Sequence, residues 1–271
     1  MRRELQAAVA RWRLVPPQVA PAGRIGERLG RGTGSSLEFT DFRDYSPGDD
    51  LRRVDWRGFA RTDQLRVRLY REEVAPALDV VIDASASMSS TPEKEQALRD
   101  LVEACVFWSL RAGGQPRRLH AGGEVLDAEA QLLVGGEDAR SLVPAAPLRP
   151  RGVRVLVSDF LRPADPAPDV RLLASGAAQL VVLQLLDPWE LQPQVDGEAR
   201  TLVDVESAQR LDAPLDARTV GAYVARLARL TAGLERAVQA AGGRFARVAA
   251  APPAAMFHES LLPAGVLEPA P

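Results

Sequence analysis

From residue 77 to residue 249 the chain alternates short apolar runs with longer segments of helical spacing, and this alternation limits the possible folds more than any other feature. Ala77-Leu78-Asp79-Val80-Val81-Ile82, Val153-Arg154-Val155-Leu156-Val157-Ser158 and Leu180 to Leu186 are short runs rich in apolar and β-branched residues. Runs of that kind suit strands covered on both faces, as in a parallel sheet. Ser90-Thr91-Pro92-Glu93 reads as a helix start: Ser or Thr caps, Pro suits the first turn, and Glu93 meets the positive end of the dipole. That helix is predicted to run to Arg111 and to stop at Gly113-Gly114. Asp216 caps a second long helix, with Val220, Tyr223, Val224, Leu227, Leu230, Leu234 and Val238 at helical spacing. Gly242-Gly243 stops it before a last strand, Arg244 to Val248. Short strands are predicted at 118–121 and 124–126 around Gly122-Gly123, with a short helix after Gly135-Gly136 and another at 169–174. An edge strand at 200–205 and a folded-back helix at 255–267 complete the pattern. Strands alternating with helices imply βαβ units and a mostly parallel sheet with helices on both faces. Such sheets bind ligands at the carboxyl ends of their strands, near a topological switch point.

The texture changes near residue 76. Residues 1–75 are rich in Gly, Arg and Asp and are read as an N-terminal segment of mainly loops and short strands, and residues 76–271 as the α/β domain. Residues 1–14 suit a short amphipathic helix stopped by Pro16-Pro17. The glycine-rich stretch from Gly23 to Gly34 lacks the lysine of a Walker loop and a preceding strand, which argues against nucleotide binding. The segment 1–75 holds 15 Arg against 11 Asp plus Glu, a balance of +4 that permits an anionic partner without demanding one. Over the whole chain the formal charge is −2, so global charge argues for neither nucleic acid nor an anionic membrane.

Lys94 is the only lysine, a bias that, with abundant Ala, Gly and Pro, is read as coding preference. The single cysteine, Cys105, lies in an apolar run and reads as a core thiol. No window approaches the 18 uninterrupted apolar residues of a membrane span, and nothing at the start resembles a signal peptide, so a cytoplasmic location is the default. His120 and His258 are the only histidines, which with one cysteine excludes zinc sites of the Cys/His type. No Gly-x-Ser-x-Gly elbow occurs, and no histidine is placed to activate Ser85 or Ser87 by a recognisable spacing.

Directly after the first strand comes Asp83-Ala84-Ser85-Ala86-Ser87-Met88. Three oxygen-bearing side chains alternate on a turn at a strand's carboxyl end, where they can converge on one point. Carboxylate and hydroxyl oxygens are what Mg²⁺, Mn²⁺ or Ca²⁺ prefer. Asp159, at the end of the next strong strand, lies on the same side of a parallel sheet. The competing reading is that Asp83 and the serines only cap a turn and a helix start, since Asp and Ser favour such places for backbone reasons.

This pattern resembles the metal-ion-dependent adhesion site of von Willebrand factor A domains. The resemblance implies that Asp83, Ser85, Ser87 and Asp159 hold a divalent metal, Mg²⁺ in this reading, whose shell a partner's acidic side chain completes. The family's threonine is missing, because no Thr occurs between Thr91 and Thr201. Ser141, Glu137 or Asp138 are the available substitutes.

A second distinctive stretch runs from Asp41 through Arg43, Tyr45, Ser46-Pro47-Gly48-Asp49, Arg52, Asp55-Trp56 and Ala60-Arg61. Ser46-Pro47-Gly48-Asp49 reads as a tight turn, with Pro presetting one dihedral and Gly accepting a positive one. Arg43, Arg52 and Arg61 interleave with Asp49 and Asp55, and such pairs form planar, bidentate salt bridges. Two readings stay open. Either the network is structural, with Trp56 and Tyr45 packed beneath it, or the arginines form an anion or partner site. The stretch resembles the bacterial family called domain of unknown function 58, whose signature matches Arg43, Tyr45, Gly48, Asp49, Arg52, Asp55, Trp56, Ala60 and Arg61. The resemblance covers the chain from about Gly30 to the final helix and implies a von Willebrand factor A-like (Rossmann-like) domain after the signature. It also implies a protein that works with a MoxR-type AAA+ ATPase.

The reading is therefore a non-enzymatic adaptor, binding a MoxR-type ATPase or its client through the acidic-serine turn. The alternatives are a metal-dependent phosphoesterase using Asp83 and Asp159, and an arginine-mediated nucleic-acid binder.

Overall fold

A computed structural model describes residues 1–17, 37–72, 77–127, 130–136, 141–195 and 199–270. The Gly23–Gly34 stretch and the candidate ligands Glu137 and Asp138 lie outside the described residues. The chain divides into two compact units, one made of residues 1–20 with 76–271 and the other of residues 21–75.

The larger unit starts with helix α1 (Arg3–Val9) and strand β1 (Trp12–Leu14). In the smaller unit, strands β2 (Leu37–Asp44) and β3 (Arg66–Glu72) form an antiparallel hairpin with a register shift between Phe39 and Asp41. Between them lie a 3₁₀ turn (Leu51–Arg53) and helix α2 (Trp56–Thr62). The larger unit resumes with β4 (Leu78–Ile82), α3 (Pro92–Arg111), β5 (Pro116–His120), β6 (Val125–Leu126) and β7 (Val153–Ser158). It continues with α4 (Ala167–Ala174), β8 (Gln179–Leu186), α5 (Pro188–Leu191), β9 (Ala199–Val203), β10 (Arg210–Pro214), α6 (Ala217–Ala240) and β11 (Arg244–Ala249). A π-helical turn, Met256–Leu261, and strand β12 (Leu267–Pro269) close the unit.

Six strands form one sheet in the order β6-β5-β4-β7-β8-β11, all parallel except β6, which runs antiparallel to β5. This is the mostly parallel α/β architecture that the apolar runs imply, with helices on both faces. Every residue of β4, β7 and β8 is buried. One face packs Val80, Ile82, Val155, Val157 and Leu183 against Leu98, Leu101 and Cys105 of α3. The other packs Val81, Leu156 and Val182 against Val170 and Leu173 of α4 and Leu234 and Val238 of α6. Burial pushes the Cys105 thiol up to about 12, so it remains a neutral core group. From β4 the chain goes first to β5 on one side and later to β7 on the other. The carboxyl ends of β4 and β7 therefore flank the switch point of the sheet.

Several local expectations change. Residues 1–14 do not form one helix and do not group with residue 75. α1 ends at Val9, and β1 pairs antiparallel with β12, so both ends of the described chain strap the same face. Trp108 Nε1 donates to the Val9 carbonyl at 3.0 Å and Arg111 to that of Ala10 at 2.8 Å. These contacts are with residues nearly a hundred positions away, which no local pattern reveals. The tail is a helical turn followed by a strand rather than one helix. The expected edge strand at 200–205 belongs to a separate hairpin, β9–β10, and not to the main sheet.

Two charged residues inside the buried strands, Asp79 and Arg154, are met by several hydrogen bonds each. Asp79 on β4 is fully buried and accepts from Arg117 at 2.9 and 3.0 Å, from Arg149 Nε at 2.8 Å and from the Arg149 backbone at 2.9 Å. Burial alone would raise the Asp79 carboxyl; the hydrogen bonds from Arg117 and Arg149 and their charges outweigh it and hold it below the usual range. Arg154 on β7 donates to the carbonyls of Leu173 and Ser175 at 2.6 and 2.8 Å, capping the end of α4.

Asp79→Ala is expected to lower unfolding stability by about 3 kcal/mol, measured by urea titration, because it strips the counter-charge from two guanidinium groups. The folded Asp79 carboxyl titrates below the unfolded value of about 3.9, so its contribution is complete above that pH and is lost as pH falls through the folded-state value. Wild type should therefore lose stability in acid more steeply than Asp79→Ala. Equal slopes for the two proteins would count against this account.

Candidate functional site

Asp83 and Asp159 meet at the switch point because each directly follows one of the two diverging strands. The Asp83 amide donates to the Val157 carbonyl at 2.9 Å, extending the β4–β7 ladder by one residue. Both aspartates are buried. Asp83 Oδ1 accepts from the Ser85 amide at 3.1 Å, which closes the acidic-serine turn locally, and Asp83 Oδ2 accepts from the Ser158 hydroxyl at 2.6 Å. Ser158 Oγ in turn accepts from the Phe160 amide at 3.0 Å. Phe160 adopts a positive φ of 60°, a conformation that non-glycine residues rarely take. Its ring is buried against the core formed by α4 and α6, which holds that conformation in place.

The serines do converge. Ser85 Oγ and Ser87 Oγ lie 3.2 Å apart. The backbone Ala84 carbonyl accepts from the Gly135 and Gly136 amides at 3.0 and 2.9 Å, so residues 133–136 run beside the turn. A cleft of about 550 Å³ opens there, lined by Asp83, Ser85, His120 and Leu133 among others. Leu133 is 72% exposed at its rim. Burial lowers the His120 imidazole, which favours its neutral form.

Three further groups were missed by the sequence reading. Lys94, in the first turn of α3, is 0% exposed, and its Nζ donates to Asp159 Oδ2 and to Glu190 Oε1, both at 2.8 Å. Asp159 Oδ1 accepts from the Leu161 amide at 2.9 Å, and Gln184 holds the Asp159 carbonyl at 3.2 Å. Glu190 Oε2 accepts from the Asp187 amide at 2.7 Å, within the capping box of α5. Thr91, the N-cap of α3, donates to Asp187 Oδ2 at 2.8 Å. Burial raises the Glu190 carboxyl, with Lys94 opposing. Burial, followed by the nearby Glu190 and Asp159 charges, pushes the Tyr223 phenol up to about 12, and its hydroxyl donates to the Glu190 carbonyl at 2.8 Å. The third missed group is Glu206, on the exposed turn of the β9–β10 hairpin, whose Oε1 accepts from the Ser87 amide at 2.8 Å. The signal for Lys94 was in the sequence: one lysine among 34 cationic residues, in the helix start after the turn. Glu190 and Glu206 sit more than a hundred residues from the turn, and no spacing marks them.

These residues do not fit a divalent ion. Both carboxylates of the expected ligand set are already engaged, Asp83 by Ser158 and Ser85 and Asp159 by Lys94 and Leu161. Every carboxylate oxygen of the set therefore already shares its lone pairs with a donor in place, whereas Mg²⁺ takes six oxygens in a strict octahedron, usually with a carboxylate or two among them. Lys94 adds a fixed positive charge against Asp159. Ser141, weighed as a threonine substitute, instead donates to Asp169 at 2.9 Å. Among the described residues no group of three His, Cys, Asp or Glu is placed to hold a metal.

In the smaller unit the signature residues pair over short range. Arg43 grips Asp49 with both terminal nitrogens, and Asp49 Oδ2 also accepts from the Ser46 amide at 2.8 Å. Gly48, at φ +105°, makes that turn possible. The hydrogen bond to Arg43 first, then that to Ser46, holds the Asp49 carboxyl below its ordinary range. Arg52 pairs with Asp50 rather than with Asp49 or Asp55, and Asp55 pairs with Arg68 at 2.6 Å. Arg61 is exposed and acts on Asp55 only at longer range. Tyr45 is half-buried, but Trp56 is 53% exposed, edge-on to Phe59 at 6.4 Å, so it is not packed beneath the network.

Fold and site together define a doubly wound α/β protein with an acidic-serine turn at its switch point, preceded by an arginine-rich hairpin unit. Residues 41–122 match the family model described as "Protein of unknown function DUF58". Uncharacterized proteins of Mycobacterium tuberculosis and Mycobacterium bovis are 26% identical over 263 residues, covering 85% of this chain and 82% of theirs. Among solved structures, an aerotolerance-related membrane protein from Bacteroides fragilis aligns at 14% identity and a TM-score of 0.31, over 64% of this chain and 91% of that one. A protein described as BatB from Bacteroides thetaiotaomicron aligns at 13% identity and a TM-score of 0.33, over 65% and 91%. Likeness at that level carries no argument about this chain. Among the described residues, no helix is long and apolar enough to cross a membrane.

Ser158→Ala removes the donor to buried Asp83 and the acceptor for the Phe160 amide. It is expected to cost about 2 kcal/mol in urea unfolding, with no change in secondary structure by circular dichroism. A loss below about 0.5 kcal/mol, the scale of an ordinary surface substitution, would show that neither bond matters.

Proposed function

We propose that this protein is a non-catalytic interaction module whose acidic-serine turn receives an acidic side chain of a partner. The observation that carries this reading is Glu206: its carboxylate accepts from the Ser87 amide at 2.8 Å, on the turn where the Ser85 and Ser87 hydroxyls converge. The turn thus accepts a carboxylate from an exposed loop of its own chain, and a partner's Asp or Glu has the same chemistry. Exposed Leu133 beside the cleft supplies apolar contact area of the kind interfaces use. The partner in this reading is a MoxR-type AAA+ ATPase or its client, which rests on the family resemblance alone. This reading needs no metal, since the Ser87 backbone amide reaches the Glu206 carboxylate directly.

The test is retention of the purified protein on an immobilised MoxR-type ATPase from the same cell. Ser85→Ala/Ser87→Ala should weaken retention about tenfold, the loss of two hydrogen bonds at a net 0.5–1.5 kcal/mol each. Glu206→Ala should strengthen it, because the resident carboxylate no longer competes. Equal retention of all three proteins, or none by any of them, would sink the proposal.

A further inference from the structure

We infer that Lys94 is the resident cation of this site: its ammonium occupies the electrostatic role that a divalent ion has in an adhesion-type site, so the acidic-serine turn is built to stand without metal. The inference concerns the same turn but is independent of any partner, and its test uses none.

Four observations support it. Lys94 is the largest fully buried side chain with a charge, and it is the one lysine in a chain that uses arginine everywhere else. A lysine ammonium is a compact point charge with three donors, closer in shape to a bound cation than a planar guanidinium is. Its position is fixed from both ends. The backbone amide of Lys94 donates to the Thr91 cap at 3.2 Å, and Thr91 is itself tied to Asp187. Finally, the ammonium joins the loop after β7, through Asp159, to α5, through Glu190. A metal in an adhesion-type site likewise ties together loops from different strand ends. The covalent tether makes this cation impossible to chelate or exchange.

The test is a Mn²⁺ titration followed by the electron paramagnetic resonance of the free ion, with thermal unfolding in parallel. Wild type is expected to bind no Mn²⁺ stoichiometrically up to millimolar concentration, and to melt at the same temperature with Mn²⁺ or with a chelator. Lys94→Met keeps the side chain's length but strands two carboxylates, and its melting temperature should fall by about 10 °C. Mn²⁺ should restore part of that loss, and Lys94→Met/Asp159→Asn should not respond. One Mn²⁺ bound per wild-type chain and lost in Asp83→Ala would overturn the inference. So would an unchanged melting temperature in Lys94→Met, or a destabilised Lys94→Met that ignores Mn²⁺, which would reduce Lys94 to an ordinary ion pair. If Lys94→Met fails to fold, the wild-type titration decides alone: no bound Mn²⁺ upholds the inference, and one bound per chain overturns it.

Discussion

The buried contact of Lys94 with Asp159 and Glu190 organises the carboxyl edge of the sheet. A charge taken out of water is costly unless it is paired and hydrogen-bonded, and here each member of the cluster meets that condition. The ammonium has two carboxylates, and each carboxylate has a backbone amide as well. Because the three residues come from the start of α3, the end of β7 and α5, the cluster can form only when those elements are in register. Gln184 extends it inward, with its amide on the Asp159 carbonyl and its oxygen on the Thr231 hydroxyl of α6 at 2.9 Å. The polar edge is thereby tied to both helical layers.

The opposite edge of the sheet repeats the logic with arginine. Asp79 at the start of β4 gathers Arg117 and Arg149, both partly exposed, while Arg154 turns inward to the end of α4. The difference between the two edges is the cation. At the Asp79 edge guanidinium groups reach solvent and act as forks. At the switch point one small ammonium is sealed in, beside a turn whose Ser87 amide holds the Glu206 carboxylate. Packing thus separates a closed electrostatic lock, at Asp159, from the half-buried Ser87, where the exposed Glu206 docks.

The signature segment follows a local plan. Arg43 with Asp49, Arg52 with Asp50 and Asp55 with Arg68 all close within the β2–β3 hairpin unit. Exposed pairs of this kind contribute little to stability one by one, but they set the shape of the turn around Gly48. Trp56 stays outside that network, on the surface.

The sequence by itself determined the layered α/β plan, because short, largely apolar runs that alternate with helical segments suit strands of a covered parallel sheet. It also determined the positions of Asp83, Ser85 and Ser87 on one turn and of Asp159 at a neighbouring strand end, since strand ends of a parallel sheet share one side. Only the tertiary structure decided what those residues do. A lysine that in sequence looks like a trace of coding bias reaches the second aspartate, and Glu190 and Glu206 arrive from segments about a hundred residues away. Strand and helix follow from the period of neighbouring residues. The partners of a buried charge follow from which distant segments the fold brings within hydrogen-bonding reach, and no local pattern carries that information.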